Sequence, residues 1–203
     1  MSFTGLLLRV YCIVRKSSLL RFPHTSPVCS HHHQAASPSM AATSQAQLVQ
    51  APSRPPITGK KTVFLAGTTT RTDGPEWRDT LFQSILHLPI TVYNPLRPDW
   101  DSSWREDINF APFREQVEWE FDMLNQADLV VVYFGPQTDA PISLLEFGLS
   151  ARSGRVAVCC HKDYKKRGNV EIVSRKLGLK VLDAESGNLA GEVKQRLESM
   201  LYA

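Results

Sequence analysis

From Lys61 onward the apolar and polar positions fall into regular periods, whereas residues 1–56 show no such pattern. TVFLAG (62–67) is a short apolar run ending in glycine, which reads as a buried strand. PEWRDTLFQSIL (75–86) opens on a proline and sets Trp77, Leu81, Phe82, Ile85 and Leu86 at helical spacing. ITVYNP (90–95) is a second strand, stopped by Pro95. FREQVEWEFDMLNQA (113–127) is helical, with Val117, Phe121 and Leu124 on one face. DLVVVYF (128–134) is apolar on both faces, as a central parallel strand must be. PISLLEFGLSARS (141–153) predicts a helix, RVAVCC (155–160) a strand, NVEIVSRKLG (169–178) a helix closed by glycine, LKVLD (179–183) a strand, and LAGEVKQRLESML (189–201) a final helix.

Five strands alternating with five helices predict an α/β fold, a doubly wound five-stranded parallel sheet. Right-handed crossovers suggest the flavodoxin-like order 2-1-3-4-5. The domain then occupies residues 59–203, behind a disordered tail and linker over 1–58 that ends in APSRPP. In such sheets ligands bind beyond the carboxyl ends of the strands, at the switch point. Function is expected in AGTTTRTDG, in the long loop after the second strand, in GPQTDAPISLLE and in HKDYKKRGN.

Composition removes several classes of function. The net charge of +3 is uneven: residues 1–60 hold six basic residues and no acid, and the other 17 basic and 20 acidic residues leave the body near −3. A basic face for nucleic acid is therefore not indicated. No stretch approaches the roughly 18–20 apolar residues of a membrane span. Cys159 and Cys160 are adjacent, and Cys12 and Cys29 lie in the tail, so the spacing suggests neither a disulfide framework nor zinc. The tail includes LLLRVYCIVRKSSLLRF, arginine- and serine-rich and free of acid. That composition is typical of an organellar transit peptide, while Met40 opens an ordinary disordered start, leaving a mitochondrial and a cytoplasmic location both open.

The candidate chemistry lies at the expected ligand edge. Gly67 lets the backbone approach a ligand, and Thr68, Thr69 and Thr70 offer hydroxyls and amides. The loop has neither GxxxxGK[ST] nor GxGxxG, so no nucleotide cofactor and no metal is expected. The loop from Asn94, NPLRPDWDSSWRED, is long for its place and carries Trp100 and Trp104 among Arg97, Asp99, Asp101, Arg105, Glu106 and Asp107. Aromatic faces can stack on flat rings, and carboxylates can bond sugar hydroxyls or base edges. A packed aromatic cluster that merely pins the loop accounts for the same residues. Glu118, Glu120 and Asp122 alternate on one helix, where only one can face the site. Asp128 starts its strand, at the far end of the sheet, and reads as a structural cap.

Glu146 is the anomaly, a lone acid among Ile142, Leu144, Leu145, Phe147 and Leu149 in the second turn after Pro141. The helix leaves the central strand at the ligand edge, where its positive end favours an anion. Pattern alone leaves this side chain either beside a pocket or facing solvent. The apolar neighbours are expected to pack the helix onto the sheet, and Gly148 to admit a strand or another subunit.

VFLAGTTT, the AD before an apolar strand, and PISLLEFGL with its Glu-aromatic-Gly ending resemble the nucleoside 2-deoxyribosyltransferases and the related deoxynucleoside-monophosphate N-glycosidases. The resemblance spans most of residues 62–175 and includes NPLRPDW and RGNV. It implies that Glu146 is the nucleophile, attacking the anomeric carbon of a 2-deoxyribose and releasing the base. A second base or water then resolves the ester with net retention. It also implies that Glu120 helps position the ribose or the nucleophile, and that Asp99 or Asp101 protonates the leaving base. Gly168 and Asn169 would face ligand oxygens across a subunit boundary, since these enzymes assemble as oligomers. Asn94, Trp100 and the first loop complete the expected binding site; the sequence shows no dedicated 5′-phosphate cradle, although Lys165, Lys166 and Arg167 could serve as one. The expected partners are thus a nucleoside or nucleotide and further copies of the chain. A catalytically silent nucleotide- or nucleotide-sugar-binding module is the competing reading; a phosphoribohydrolase is disfavoured because PGGxGTxxE is absent.

Overall fold

The computed structural model describes residues 45–69, 75–186 and 188–203. The expected transit peptide and Thr70–Gly74 of the first loop lie outside the described residues. The strands are β1 (Gln47–Gln50), β2 (Lys61–Gly67), β3 (Ile90–Asn94), β4 (Leu129–Phe134), β5 (Val156–Cys160) and β6 (Val181–Asp183). The helices are α1 (Trp77–Ile85), α2 (Ala111–Gln126), α3 (Pro141–Ser150), α4 (Arg167–Lys176) and α5 (Leu189–Tyr202).

All strands pair in parallel, in the order β1-β3-β2-β4-β5-β6. The five-stranded sheet expected from the sequence is therefore corrected to six. The additional strand is QLVQ, in the stretch read as a disordered tail. It registers Leu48 on Val92 and Val49 on Tyr93. Its own side chains hold it there: Gln47 Oε1 accepts from Thr91 Oγ1 (2.8 Å) and from the amide of Thr58 (2.9 Å). Behind it, Trp119 Nε1 donates to the carbonyl of Ser53 at 2.8 Å.

Alternate residues of each strand feed two cores, as the period of two requires. Phe64, Tyr93, Val130, Val132, Phe134 and Val158 meet Trp119, Met123, Phe147 and Val170 on the side of α2, α3 and α4. Val63, Leu65, Val92, Val131 and Ala157 meet Leu81, Ile85, Val193 and Leu197 on the side of α1 and α5. Asp128 is structural as expected, its Oδ2 accepting from the Thr62 amide (2.8 Å) and hydroxyl (2.9 Å).

Two helices bury only part of the expected apolar faces: Leu124 of α2 and Phe147 of α3 are in the core as expected, and other apolar residues are not. On α3 the buried residues are Ser143, Glu146, Phe147 and Ser150, while Ile142, Leu145 and Leu149 are 56%, 59% and 54% exposed. On α2, Val117 and Phe121 are likewise exposed, and Gln116, Trp119, Met123 and Leu124 are buried. The buried positions of α3 fall at i, i+3, i+4 and i+7, and those of α2 at i, i+3, i+7 and i+8, each set lying on one helix face. The acid of α3 thus lies inside and Leu145 and Leu149 outside, while Leu144 is half-buried against the core. Among the described residues nothing stands within 4 Å of a Cβ built on Gly148, so no described strand makes the close approach expected there.

Candidate active site

The carboxyl ends of β2, β3 and β4 open into a cleft of about 630 Å³. Its floor and walls include Gly67 and Thr68, Arg78 of α1, Gln116 and Glu120 of α2, and Ser143 and Glu146 of α3. A second cleft of about 640 Å³ adjoins it, with Thr68, Thr69, Leu96, Arg97 and Trp100 common to both.

Gly67 is needed where it stands. Its φ is +143°, and a Cβ there would lie 2.5 Å from the carbonyl oxygen of Tyr133. The chain passes that close because the Thr68 amide donates to the same oxygen at 2.9 Å. Thr68 Oγ1 accepts from the amide of Gly135 at 2.9 Å, so its hydroxyl ties two ligand-edge loops together. Thr69 is exposed and faces both clefts.

The loop between β4 and α3 is constrained at both ends. Gln137 and Ala140 adopt positive φ values of 54° and 39°. Gln137 N donates to the carbonyl of Asp163 (3.1 Å), and Tyr164 Oη donates to the carbonyl of Asp139 (3.1 Å). Pro141 then starts α3 with its fixed φ, which sets the angle at which Glu146 enters the cleft.

Glu146 is 9% exposed. Burial first, and the charge of Glu120 second, push it up to about 8, while Arg78 pulls the other way. Glu120 is also raised, mainly by burial, with a Gln116 hydrogen bond and Arg78 opposing. Gln116 Nε2 donates to Glu120 Oε1 and to the carbonyl of Pro95, both at 2.8 Å, so one amide orients the acid and anchors the long loop. The arrangement holds two carboxylates in a partly dry cleft, one of them carrying a proton near neutral pH. A carboxylate so placed can attack an electrophilic carbon once that proton leaves.

The long loop is both pinned and open. Arg97 bonds Asp99 (2.7 Å) and Glu115 (2.8 Å), with its guanidinium 5.1 Å from the Trp104 ring centroid. Trp104 packs between Trp100 and Phe110 at 5.1 and 6.0 Å. Trp100 itself is 44% exposed and lines both clefts, available for a flat ring.

Several sequence-expected residues stand elsewhere. Asp99 and Asp101 are exposed and line neither cleft. Asp99 is held below the usual carboxylate range by its hydrogen bond from Arg97, and Asp101 by the Ser103 amide, which makes both poor proton donors here. Glu106 is the loop acid that does line the main cleft. Asn94 is buried and turns the chain, its Oδ1 accepting from the Leu96 amide at 3.0 Å. Gly168 and Asn169 are exposed in the first turn of α4 and line neither cleft. Of the basic run beside them, Lys165 pairs with Asp139 (3.1 Å) and Arg167 with Glu171 (2.6 Å). Arg78 and Gln116 are the cleft residues that sequence reading missed, since polar side chains on amphipathic helices ordinarily face water.

Among the described residues no helix is long and apolar enough to cross a membrane, and no group of His, Cys, Asp and Glu is placed to hold a metal ion. A family model described as nucleoside 2-deoxyribosyltransferase like matches residues 60–164, just over half of the 203-residue chain. The matched stretch contains Gly67, Thr68, Arg78, Gln116, Glu120 and Glu146. No curated protein matches the chain.

Proposed function

The chain belongs to the nucleoside 2-deoxyribosyltransferase-like family, and from that premise we propose that it cleaves or transfers the N-glycosidic bond of 2′-deoxyribonucleosides, or of their monophosphates, through a glycosyl ester on Glu146. The observation that carries the reading is the burial of Glu146 beside Glu120 on the floor of the cleft, where ordinary packing would have placed a leucine.

In the first step a Glu146 oxygen bonds to C1′ as the C1′–N bond breaks, and the bonding pair departs with the base. A proton must reach the departing nitrogen, and Glu106 is the loop acid already beside the cleft. Asp99 or Asp101 would need a loop movement to serve. Water or a second base then attacks C1′ from the face opposite Glu146, passing its proton to the carboxylate that protonated the first base, as the C1′–O bond breaks and Glu146 leaves as a carboxylate; configuration is retained over the two displacements. Glu120, oriented by Gln116, faces the sugar as positive charge builds on it. Trp100 offers its exposed ring to the base.

The exposed strip of Val117, Phe121, Ile142, Leu145 and Leu149 borders this cleft and supports a homo-oligomer, because apolar area of this kind is normally covered. Incubating the protein with each deoxynucleoside and its monophosphate, with and without a second base, tests the reading. Free or exchanged base is expected, and it should vanish in Glu146→Gln. Ligand binding in calorimetry with no base released over long incubation would instead favour the silent binding module.

A further inference from the structure

Beside Glu120 and Glu146 the cleft is lined by Arg78, and that charge too is buried. Its side chain is 1% exposed, although a guanidinium carries five N–H donors that must be satisfied out of water. Nε reaches the carbonyl of Leu65 (3.4 Å), Nη2 that of Gly67 (2.7 Å) and Nη1 that of Thr68 (3.2 Å). Nη1 also meets Glu76 Oε1 at 2.8 Å. Glu76 in turn caps α1, its Oε2 accepting from the amides of Arg78 (2.7 Å) and Asp79 (3.2 Å). Trp77 Nε1 adds a bond to the carbonyl of Thr68 at 3.1 Å. The start of α1 therefore grips the main chain of the Gly67–Thr68 turn by its carbonyls and leaves that turn's outer side to the cleft.

The same guanidinium attracts both cleft carboxylates. Around Glu146 stand Glu120 from α2 and Arg78 from α1, with Glu106 and Arg97 of the long loop lining the same cleft. Arg97 is taken up by Asp99 and Glu115, and among the described carboxylates Arg78 is in hydrogen-bond contact with Glu76 alone. Among the described residues, Arg78 is thus the buried positive charge set against the repulsion between Glu120 and Glu146.

We propose that Arg78 is a positioning residue with two tasks: it fixes the Gly67–Thr68 turn against α1, and it supplies the positive charge that lets Glu146 ionise beside Glu120. The second task rests on the reading of Glu146 as nucleophile; the electrostatic coupling itself does not. Lysine at this position would keep the charge but cannot reproduce a planar fork bonded to three carbonyls and a carboxylate.

The test is a pH titration of the Glu146 carboxyl in the empty protein, followed by infrared difference spectroscopy against Glu146→Gln. Kinetics are run on the same variants. In Arg78→Met the Glu146 midpoint should rise by about one unit or more, the usual effect of removing a nearby opposite charge. The acidic limb of kcat/KM should move with it. Arg78→Lys should restore the midpoint while KM stays raised, because the turn is no longer held. Glu76→Gln provides a variant that keeps the arginine: freed of its partner, Arg78 should lower the Glu146 midpoint. A midpoint unmoved in folded Arg78→Met, or unmoved in Glu76→Gln should the methionine variant fail to fold, would overturn the proposal. A midpoint that moves in a protein releasing no base would leave Arg78 its electrostatic role and refute the nucleophile reading alone.

Discussion

Replacing Glu146 with glutamine keeps the shape of the side chain and removes its titration, so stability should respond in a pH-dependent way. The folded protein holds the Glu146 proton up to about pH 8, whereas the unfolded chain releases it near the ordinary value of 4.5. Between those values the folded state binds more protons than the unfolded one. Stability therefore falls as pH rises through that window, is complete below it and levels off above it. At about 1.4 kcal/mol per pH unit, the difference amounts to at most about 5 kcal/mol. Glu146→Gln does not suffer that loss. Measured by urea or thermal unfolding, the variant should match the native chain within about 1 kcal/mol at pH 4.5 and exceed it by several kcal/mol at pH 9. In melting temperature that is roughly 10 °C or more, at about 2–4 °C per kcal/mol for a chain of this size. Groups not coupled to Glu146 are common to both proteins and largely cancel in the comparison; Glu120, which is coupled to it, shares in the difference. A stability difference that is the same at both pH values, or a glutamine variant weaker at pH 9, would refute the reasoning.

Other substitutions probe the remaining parts of the account. On the proposed function, the kcat/KM of the native chain should rise with pH along a limb centred near 8, and Glu120→Gln should lower that midpoint by removing the neighbouring negative charge; a midpoint that stays or rises contradicts the coupling. Gly67→Ala forces a Cβ to within 2.5 Å of the Tyr133 carbonyl oxygen at a φ of +143°, and should cost roughly 2–4 kcal/mol in chemical denaturation. A loss below about 0.5 kcal/mol would mean that the turn is not as tight as described. Trp119→Phe removes the 2.8 Å bond to Ser53 and should cost about 1–2 kcal/mol while making residues 51–58 more open to limited proteolysis; unchanged cleavage there would argue against this anchor for the chain after β1.

The sheet was legible from Lys61 onward because buried parallel strands are continuous apolar runs, and LVVVYF can hardly be anything else. QLVQ escaped notice for the opposite reason. An edge strand with one fully buried side chain, Val49, has no pattern of its own, and what holds it are bonds from Gln47 to Thr58 and Thr91, remote in sequence. Glu146 was legible in its position and misread in its setting. Placing α3 after the central strand put the acid at the ligand edge, but hydrophobicity assigned Ile142, Leu145 and Leu149 to the core. The helix instead rests on Ser143, Phe147 and Ser150, small residues and one ring that let it sit close to the sheet. Arg78 left no signal at all. Its acceptors are main-chain carbonyls, which no side-chain pattern records. The long loop lay between these cases. Its tryptophans marked a binding loop, yet which acid turns inward depended on the Arg97 pairings, and those leave Asp99 outside and Glu106 beside the cleft.

The most direct test of the central claim is mass spectrometry of the protein after exposure to a 2-fluoro-2-deoxy nucleoside, whose glycosyl ester forms and then hydrolyses slowly. The account predicts one added fluorosugar per chain, located by peptide sequencing on Glu146, and none in Glu146→Gln. A sugar found on any other residue, or base released from a native deoxynucleoside by a chain that never carries the label, would contradict it.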